Sequence, residues 1–265
     1  MLLIDLSYFI FYRYYATYGW YRKSQPEGAA PPMQNSAFIS KYNQTFESTV
    51  AELRSRFGVP WGSVIFAKDC CREEIWRMQH YPAYKQGRDE RLDSFDKEIF
   101  KHTIAVLIPS LQEKHGGCHV LTVPHMEADD LVACVKRFVR EEAPTKEIFI
   151  ITNDNDYVQL IDDYTLVTNL QGCDLKSRVG CPPQQYLEQK IIMGDKSDNI
   201  PSIARKVGEK TSAKLAVDRP SLEALFVRTP ASREQYSLNR LLISFESIPD
   251  DLRNQAINAY KEIGI

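Results

Sequence analysis

The sequence lacks the marks of a membrane protein, a secreted protein and a zinc protein. No run of about 18 apolar residues occurs, so no segment is long enough to cross a bilayer. The apolar start, MLLIDLSYFIFYRYY, is interrupted by Asp5 and Arg13 and has neither a basic segment before it nor a small-residue cleavage site after it, which argues against a secretory signal. The six cysteines show no C-x-x-C spacing, which disfavours a zinc site, and adjacent Cys70 and Cys71 have poor geometry for a disulfide. We therefore expect a cytoplasmic protein with no membrane partner.

The chain also lacks an excess of one charge. It has 33 basic and 35 acidic side chains among 265 residues, for a formal net charge of −2. Proteins that bind nucleic acid usually carry a basic excess, so the total by itself argues against that class. The proportions, 43 % hydrophobic and 26 % charged, are those of an ordinary globular protein.

Short apolar runs typical of buried strands alternate with helical patterns as far as Gly194. The expected strands are Met1–Leu6, Ser63–Ala67, His119–Val123, Glu147–Thr152 and Thr165–Asn169. The expected helices are Ser36–Phe57, Asp93–His115, Glu127–Glu141 and Pro183–Met193, with a loop at Trp20–Pro32 and a mobile segment at Tyr81–Arg91. This alternation predicts an α/β fold with a central, mostly parallel sheet flanked by helices. After Gly194 we expect short helices packed on this body, two of them within Ser221–Ile265.

Acidic residues recur just after the first four strands and after the helix that ends in IIMG. These nine are Asp5, Asp69, Glu127, Asp129, Asp130, Asp154, Asp156, Asp195 and Asp198. The carboxyl ends of parallel strands share one edge of a sheet, where ligands bind, so we expect these side chains to converge. Carboxylates gathered in one place repel one another, and Mg²⁺, which prefers oxygen ligands, would relieve that repulsion. Two such ions about 4 Å apart can activate a water and stabilise the leaving oxygen of a phosphodiester.

Each acid taken alone has a simpler explanation. A single aspartate at a strand end is most often a turn residue or a helix N-cap, and Glu127 and Asp129 could simply complement a helix dipole. The NDND segment resembles part of a calcium loop but lacks the glycine and the terminal glutamate of an EF-hand. Acids at equivalent positions in five places are harder to explain by capping than by a shared metal site.

Several motifs resemble the structure-specific 5′ nuclease family, which includes flap endonucleases, the 5′→3′ exonuclease domain of bacterial DNA polymerase I and T-even-type phage RNase H. Met126–Asp130 is similar to the family's V-E-A-D-D, Ile151–Asp156 to its S-T-x-D-x-D, and Met193–Pro201 matches its M-G-D-x-S-D-N-I-P. Trp76–Arg77 and Tyr84–Arg88 keep the spacing of W-R and Y-K-x-x-R in phage RNase H. The resemblance runs from Met1 to about Leu225 and implies a PIN-like 5′-nuclease fold. It divides the chain into an α/β body over 1–194, with a helical arch at about 70–105, and a helix-two-turn-helix with further helices over 195–265.

The resemblance also implies roles for individual residues. A tighter metal centre would use Asp5, Asp69, Glu127, Asp129 and Asp130, and a second would use Asp154, Asp156, Asp195 and Asp198, with Asp129 and Asp154 directly catalytic. Two Mg²⁺ ions would bind there, with Mn²⁺ as a substitute. Lys85 and Arg88 match the basic residues that reach the scissile phosphate, where positive charge offsets the charge of the transition state. Arg77 and Tyr84 would contact DNA, Tyr84 by stacking on a frayed base. Without the resemblance, the segment Arg72–Lys101, which contains these residues, would be interpreted as a solvated surface.

The segment IPSIARKVGEKTSAKLAVDR resembles the family's helix-two-turn-helix, whose backbone binds duplex phosphates and, in several members, a K⁺ ion through carbonyls. The expected DNA contacts are Arg205, Lys206, Gly208, Lys210, Thr211 and Lys214. Lys206, Lys210 and Lys214 recur every fourth residue and so could share one helix face. The family's G-V-x-G-I-G is replaced here by residues 202–208, with only Gly208 kept, which argues against a tight backbone approach and a K⁺ site.

The expected function is that of a divalent-metal-dependent 5′→3′ exonuclease or flap endonuclease. Its substrate would be DNA with a 5′ flap, a nick or a single-strand/duplex junction, and RNA–DNA hybrids as in primer removal during replication and repair. A monomer is expected, and the chain has no Q-x-x-[LIM]-x-x-aromatic-aromatic tail for a sliding clamp.

Two alternatives remain open at this point. A non-catalytic DNA-junction-binding protein would be expected to have lost some of the family's acids, whereas none of those positions is broken here. A magnesium-dependent aspartyl phosphatase needs D-x-D after the first strand, where this chain has Asp5, Leu6 and Ser7.

If the nine candidate metal ligands are left out of the count, the net charge no longer argues against binding of nucleic acid. Without them the chain has 33 basic against 26 acidic side chains, and two bound Mg²⁺ would bring the whole from −2 to +2. Near-neutrality is then the sum of an acidic cleft and a basic remainder. We expect DNA affinity to rise with divalent metal and to fall with salt.

Overall fold

The structure, a computed structural model, describes residues 1–24, 30–87 and 95–265. Within these residues the centre is a sheet of five strands, β1 (Leu2–Asp5), β2 (Val64–Ala67), β3 (His119–Leu121), β4 (Ile148–Ile151) and β5 (Thr165–Thr168). The strands lie in the order β3-β2-β1-β4-β5, and every neighbouring pair is parallel. The expected strands and the parallel sheet are confirmed, each strand being one or two residues shorter than expected.

Both faces of the sheet are covered, which explains why the strands are short, continuous apolar runs. One face packs against α5 (Ala128–Glu142) and α11 (Asp250–Ile263), where Leu131 and Ala256 are fully buried. The other face packs against α1 (Leu6–Ser24), α2 (Ser36–Arg56) and α4 (Ile108–His115). There the rings of Phe9 and Phe46 meet edge to face, with centroids 4.6 Å apart.

A separate apolar cluster holds a helical layer beside the carboxyl edge of the sheet. This layer consists of α7 (Pro183–Met193), α8 (Glu209–Val217), α9 (Arg219–Arg228) and α10 (Pro230–Ile243), and the short α6 (Lys176–Val179) precedes it. Ile191, Leu222 and Phe226 are buried in the cluster together with Ile75 and Tyr84 from the segment after β2. The same packing therefore fixes both the helical layer and the segment that crosses in front of the sheet edge.

Three expectations about helices need correction. Helix α1 was not expected, and it extends to Ser24, so the loop predicted at Trp20–Pro32 begins at least five residues later than its first position. The single helix predicted over Asp93–His115 is α3 (Glu98–His102), a π-helical turn at Thr103–Leu107, and α4, because Pro109 cannot donate a backbone hydrogen bond at that junction. Residues 221–265 contain parts of three helices where two were expected, since Pro230 starts a new helix.

The predicted arch lies only partly within the described residues. From Arg72 to Gln79 the chain forms 3₁₀ turns, and residues 82–87 form turns rather than a continuous helix. Residues 88–94, at the centre of the predicted arch, lie outside the described residues. Among the helices that the structure describes, none is long and apolar enough to span a membrane.

Candidate metal centre and nucleic-acid interface

The carboxyl edge of the sheet brings together the acids that follow its central strands. Asp5 ends β1, and its Oδ2 accepts a hydrogen bond from the Thr152 hydroxyl at 3.0 Å. Asp69, two residues beyond β2, accepts from Ser7 Oγ at 2.5 Å and from the backbone N–H of Ala128 at 2.8 Å. These bonds connect the ends of β1, β2 and β4 with the start of α5.

Three further acids occupy the beginning of α5. Glu127 is the N-cap residue and forms a capping box with Asp130, and Asp129 lies between them in sequence. One carboxylate oxygen from each of the three lies within 4.8 Å of the others. Only 3 % of Glu127 and none of Asp130 is exposed. A helix N-terminus favours negative charge by about 1 kcal/mol, which does not offset the burial of three carboxylates.

Asp5 and Asp129 have raised pKa values, which indicates that the protein does not fully compensate their negative charge. Burial and the neighbouring charge of Asp69 raise the pKa of Asp5 to about 7. Burial and the charges of Glu127 and Asp130 raise the pKa of Asp129. A divalent cation would restore the charged forms, and a set of donors made only of carboxylate oxygens fits a hard cation. We call Asp5, Asp69, Glu127, Asp129 and Asp130 the first carboxylate group.

A second carboxylate group consists of Asp154, Asp156, Asp195 and Asp198. One oxygen from each of Asp156, Asp195 and Asp198 lies within 4.8 Å of the others. Asp154 lies beside them, its Oδ1 accepting from the backbone N–H of Asp156 at 2.9 Å. All nine acids expected to converge therefore lie in two groups, one at the sheet edge with the start of α5 and one between β4 and α7.

An open cleft of about 500 Å³ is lined by members of both groups. Its lining includes Asp5 from the first group, Asp154 and Asp195 from the second, and Tyr186 and Lys190 from α7. The cleft is therefore built by the sheet edge on one side and by the helical layer on the other.

Lys85 connects the two groups. Its ammonium pairs with Glu127 of the first group and lies 3.9 Å from Asp198 Oδ2 of the second. Its backbone N–H also donates to the Asp198 carbonyl at 3.1 Å, which fixes the turn that carries it. Burial opposes the positive charge, but Glu127 outweighs it and raises the pKa of Lys85 well above its ordinary value. Lys85 thus places a positive charge between the carboxylate groups.

Arg77 faces the acids rather than the surface, so its predicted contact with DNA is corrected. It is 1 % exposed, and it binds both oxygens of Asp130 at 2.6 and 2.7 Å and Glu127 at 2.9 Å. Its Nε donates to the carbonyl of Leu242 in α10 at 2.8 Å. Trp76 also donates to Asp130, at 2.9 Å, so that both oxygens of this acid are engaged by protein donors. Arg77 holds the first carboxylate group in place.

Tyr84 is buried too, which corrects the prediction that its ring stacks on a base. Only 3 % of the residue is exposed, and its ring belongs to the apolar cluster of the helical layer. Its hydroxyl donates to Glu127 Oε2 at 3.0 Å. Tyr84 therefore orients Glu127, and Arg88, the remaining basic residue of the same motif, lies outside the described residues.

The residues expected to contact duplex DNA lie on one exposed region around the start of α8. The side chains of Arg205, Lys206, Lys210, Thr211 and Lys214 are exposed, whereas the neighbouring Ile203 and Ser212 are buried. Helix α8 begins at Glu209, so Lys210 and Lys214 lie on it, whereas Lys206 lies in the preceding loop in a left-handed conformation, with φ of 65°. The expectation that three lysines share one helix face is therefore wrong for Lys206. Gly208 is the N-cap of α8.

Three contributors to the site were not expected from the sequence. Lys190 of α7 pairs with Asp156 and Asp195. The hydroxyls of Ser7 and Thr152 orient Asp69 and Asp5. Ser7 and Thr152 lie within two residues of a strand end and of an acid, and that position is the sequence signal that could have identified them. Lys190 carries no such signal.

Comparison with known proteins identifies the family. Residues 1–191 match the family model of the 5′-3′ exonuclease N-terminal resolvase-like domain. DNA polymerase I of Lactococcus lactis subsp. cremoris is 29 % identical over 237 residues, covering 85 % of this chain and 25 % of that protein. DNA polymerase I of Streptococcus pneumoniae is 31 % identical over 163 residues, covering 57 % of this chain and 17 % of that protein. The chain thus spans a quarter or less of the length of these relatives.

Solved structures agree with the fold. The T5 5′-exonuclease with bound divalent metal ions (zinc) has a TM-score of 0.71 at 16 % identity, covering 100 % of this chain and 99 % of that one. The bacteriophage T5 D15 flap endonuclease, in a pseudo-enzyme-product complex with DNA and metal ions, has a TM-score of 0.68 at 17 % identity and covers 99 % of this chain and 98 % of that one. The match over residues 1–191 and the shared fold agree with the motifs at the two carboxylate groups: the chain belongs to the 5′-3′ exonuclease N-terminal domain family.

Proposed function

We propose that this chain is a divalent-metal-dependent, structure-specific 5′ nuclease that hydrolyses phosphodiesters near the junction of single-stranded and duplex DNA. The observation that carries the proposal is the presence of two carboxylate groups that both contribute acids to one cleft, with the ammonium of Lys85 between the groups. Family membership and the open cleft also support a nuclease function. A cleft open to solvent admits a polymer, whereas a small-molecule phosphatase would be expected to enclose its substrate.

The carboxylate groups would bind the metal, and the side chains that contact them would stabilise charge and hold the acids in position. When bound, divalent cations supply charge neutralisation at the phosphodiester and activation of the attacking water. Lys85 offers a third positive charge, at a position where it can offset the charge that develops on the phosphoryl oxygens. Arg77 and Tyr84 keep Glu127 oriented, so that its carboxylate does not have to be ordered when the substrate arrives.

The finer assignments are part of the same proposal. The ions are two Mg²⁺, with Mn²⁺ as a substitute, because all the candidate ligands are hard carboxylate oxygens. Residues 1–194 form the catalytic body and residues 195–265 supply the duplex-binding surface, in which Arg205, Lys206, Lys210 and Lys214 contact phosphates. The proposed enzyme acts as a cytoplasmic monomer on 5′ flaps, nicks and RNA–DNA hybrids. We do not include K⁺, because Lys206 stands in the left-handed position of a loop that has lost the family's other glycines.

Cleavage of a 5′-flap DNA labelled at its 5′ end tests the proposal. We expect product release with Mg²⁺ and none with EDTA, and we expect Asp129→Asn and Asp154→Asn each to lower the rate by at least about a thousandfold, since each removes a charged metal ligand. Asp163→Asn is the matched control, because Asp163 is an exposed acid outside both groups. Binding of the flap DNA without cleavage of any flapped, nicked or RNA–DNA substrate would instead favour the non-catalytic alternative.

A further inference from the structure

The ammonium of Lys190 lies inside the second carboxylate group. Lys190 projects from the last turn of α7, and its Nζ pairs with Asp156 and lies 2.8 Å from Asp195 Oδ2. The side chains of Lys190, Asp156 and Asp195 are only 11, 17 and 14 % exposed. Little solvent screens charges placed in this way, so the interaction is stronger than that of a surface ion pair.

The position of Lys190 overlaps the position that a metal ion would take. A divalent ion bound by Asp156 and Asp195 would lie about 2.1 Å from an oxygen of each, between the two carboxylates. The ammonium already lies between the same two carboxylates. Two cations cannot share this space at contact distance without strong repulsion, so either the ammonium or the metal ion occupies it.

The first carboxylate group is arranged differently. Its Lys85 and Arg77 pair with Glu127 and Asp130, at one side of the group. Among the described residues, no lysine or arginine forms an ion pair with Asp5, Asp69 or Asp129. In the first group, therefore, three acids have no described lysine or arginine at ion-pair distance, whereas in the second group an ammonium lies between two of the acids.

We propose that Lys190 is a tethered counter-ion of the second carboxylate group, which a divalent ion must displace in order to bind there. The inference rests on the proposed function and concerns how the same site loads its metal. Displacement adds a cost to the second ion that the first ion does not have, so the two ions bind in a fixed order, the first group before the second. The displaced ammonium has room in the open cleft, whose lining already includes Lys190.

Calorimetric titration with Mn²⁺ at one neutral pH tests the proposal without any cleavage reaction. For the wild-type chain we expect one tighter and one weaker site. Lys190→Gln and Lys190→Met, the latter keeping the aliphatic stem, are expected to tighten the weaker site about tenfold or more and to leave the tighter one unchanged, since the metal ion no longer has to break a charge-assisted ion pair. Lys190→Arg keeps the charge and should keep the weaker site weak. Lys196→Gln removes an exposed positive charge next to Asp195 and should leave both sites as in the wild type.

Thermal unfolding provides a second readout. Without Lys190, Asp156 and Asp195 repel one another in EDTA, so Lys190→Gln should melt below the wild type in EDTA and should gain more from saturating Mn²⁺. An unchanged or weakened second site in both neutral variants, with melting in EDTA equal to the wild type, would overturn the proposal while leaving the nuclease assignment intact. The absence of Mn²⁺ binding in every variant and in the wild type would overturn the metal-dependent function as well.

Discussion

Gly194 is the residue on which the geometry of the second carboxylate group most directly depends. It ends α7 with φ of 76°, a conformation that L side chains rarely adopt. A Cβ atom there would lie 2.4 Å from the carbonyl oxygens of both Ile200 and Pro201. Asp195 follows directly, and its backbone pairs with Ile200 through two hydrogen bonds, of 2.8 and 2.9 Å. Any side chain at position 194 would therefore force apart the turn that carries Asp195.

We expect Gly194→Ala to lower the free energy of unfolding by about 3 kcal/mol, because it combines left-handed strain with a backbone clash. Gly180→Ala separates the two causes: Gly180 has φ of 65°, but a Cβ atom there meets nothing within 4 Å. That variant should lose only about 1 kcal/mol. Urea denaturation measures both values, and Mn²⁺ titration shows whether the weaker site is lost in Gly194→Ala. Equal losses in the two variants would mean that the close approach to Ile200 and Pro201 is relieved without cost.

At the residue scale, the sequence indicates where the acids lie but not which side chains contact them. Position after a strand or after α7 can be read along the chain and predicted that the acids of each group approach one another, whereas their role as metal ligands stays a prediction. Burial is set by packing between distant segments, so a basic or aromatic residue near the acids could not be assigned to the surface or the interior. For this reason Arg77 and Tyr84 are predicted as DNA contacts, whereas in the structure the helical layer buries them. Arg77 donates to Leu242 of α10, and the ring of Tyr84 packs in the apolar cluster.

At the scale of elements, the strands were predictable and the helix boundaries less so. The five strands are short runs that are apolar on both faces, which few other structures explain. Helix α1 escaped prediction because aromatic residues occur all round it: Phe9 and Tyr14 are buried, but Tyr15 and Trp20 are 45 and 40 % exposed. A helix without a clean apolar stripe gives no periodic signal.

An ion-pair cluster in the second half of α5 joins this helix to the start of β5. Asp162 accepts from Lys136 at 2.7 Å and from Arg140 at 3.1 Å. Burial opposes the charge, but the hydrogen bonds from Lys136 and Thr165 outweigh it and lower the pKa of Asp162 to about 2. Because the folded-state pKa is lowered, the cluster stabilises the fold above the unfolded-state pKa of about 3.9 and stops doing so as the pH falls toward 2.

We therefore expect Asp162→Asn to cost about 2 kcal/mol of unfolding free energy at neutral pH, and less as the pH falls below about 4. Urea denaturation of the variant and the wild type at a series of pH values measures the difference. Asp163→Asn, at the exposed neighbouring position, should show neither the loss nor its pH dependence. A loss at Asp162→Asn that stays constant down to pH 3 would mean that the charge of this carboxylate does not contribute.

The whole molecule separates its charges by place. The two carboxylate groups lie at and beside the carboxyl edge of the sheet, while Lys210 and Lys214 are exposed on α8. The net charge of −2 is a sum over the whole sequence and cannot show this separation, so it is compatible with the proposed phosphate-binding surface. The amino edge of the sheet, where the N-terminal amine bonds to the Glu147 carbonyl, also carries basic side chains, Lys146 and Lys261 among them.

This separation predicts which lysines control the salt dependence of DNA binding. Each phosphate contact contributes about 0.9 to the slope of log affinity against log salt concentration, so Lys210→Gln combined with Lys214→Gln should reduce that slope by about 2. Lys146→Gln combined with Lys261→Gln removes the same charge from the opposite edge of the molecule and should leave the slope unchanged, although it alters the net charge equally. Fluorescence anisotropy with a nicked duplex in EDTA measures the slope without cleavage, since the proposed reaction requires a divalent ion. If both pairs reduced the slope alike, DNA would be responding to total charge and not to a surface at α8. If only the α8 pair did so, the duplex would have to lie across the start of α8, directly beside the turn that carries Asp195 and Asp198.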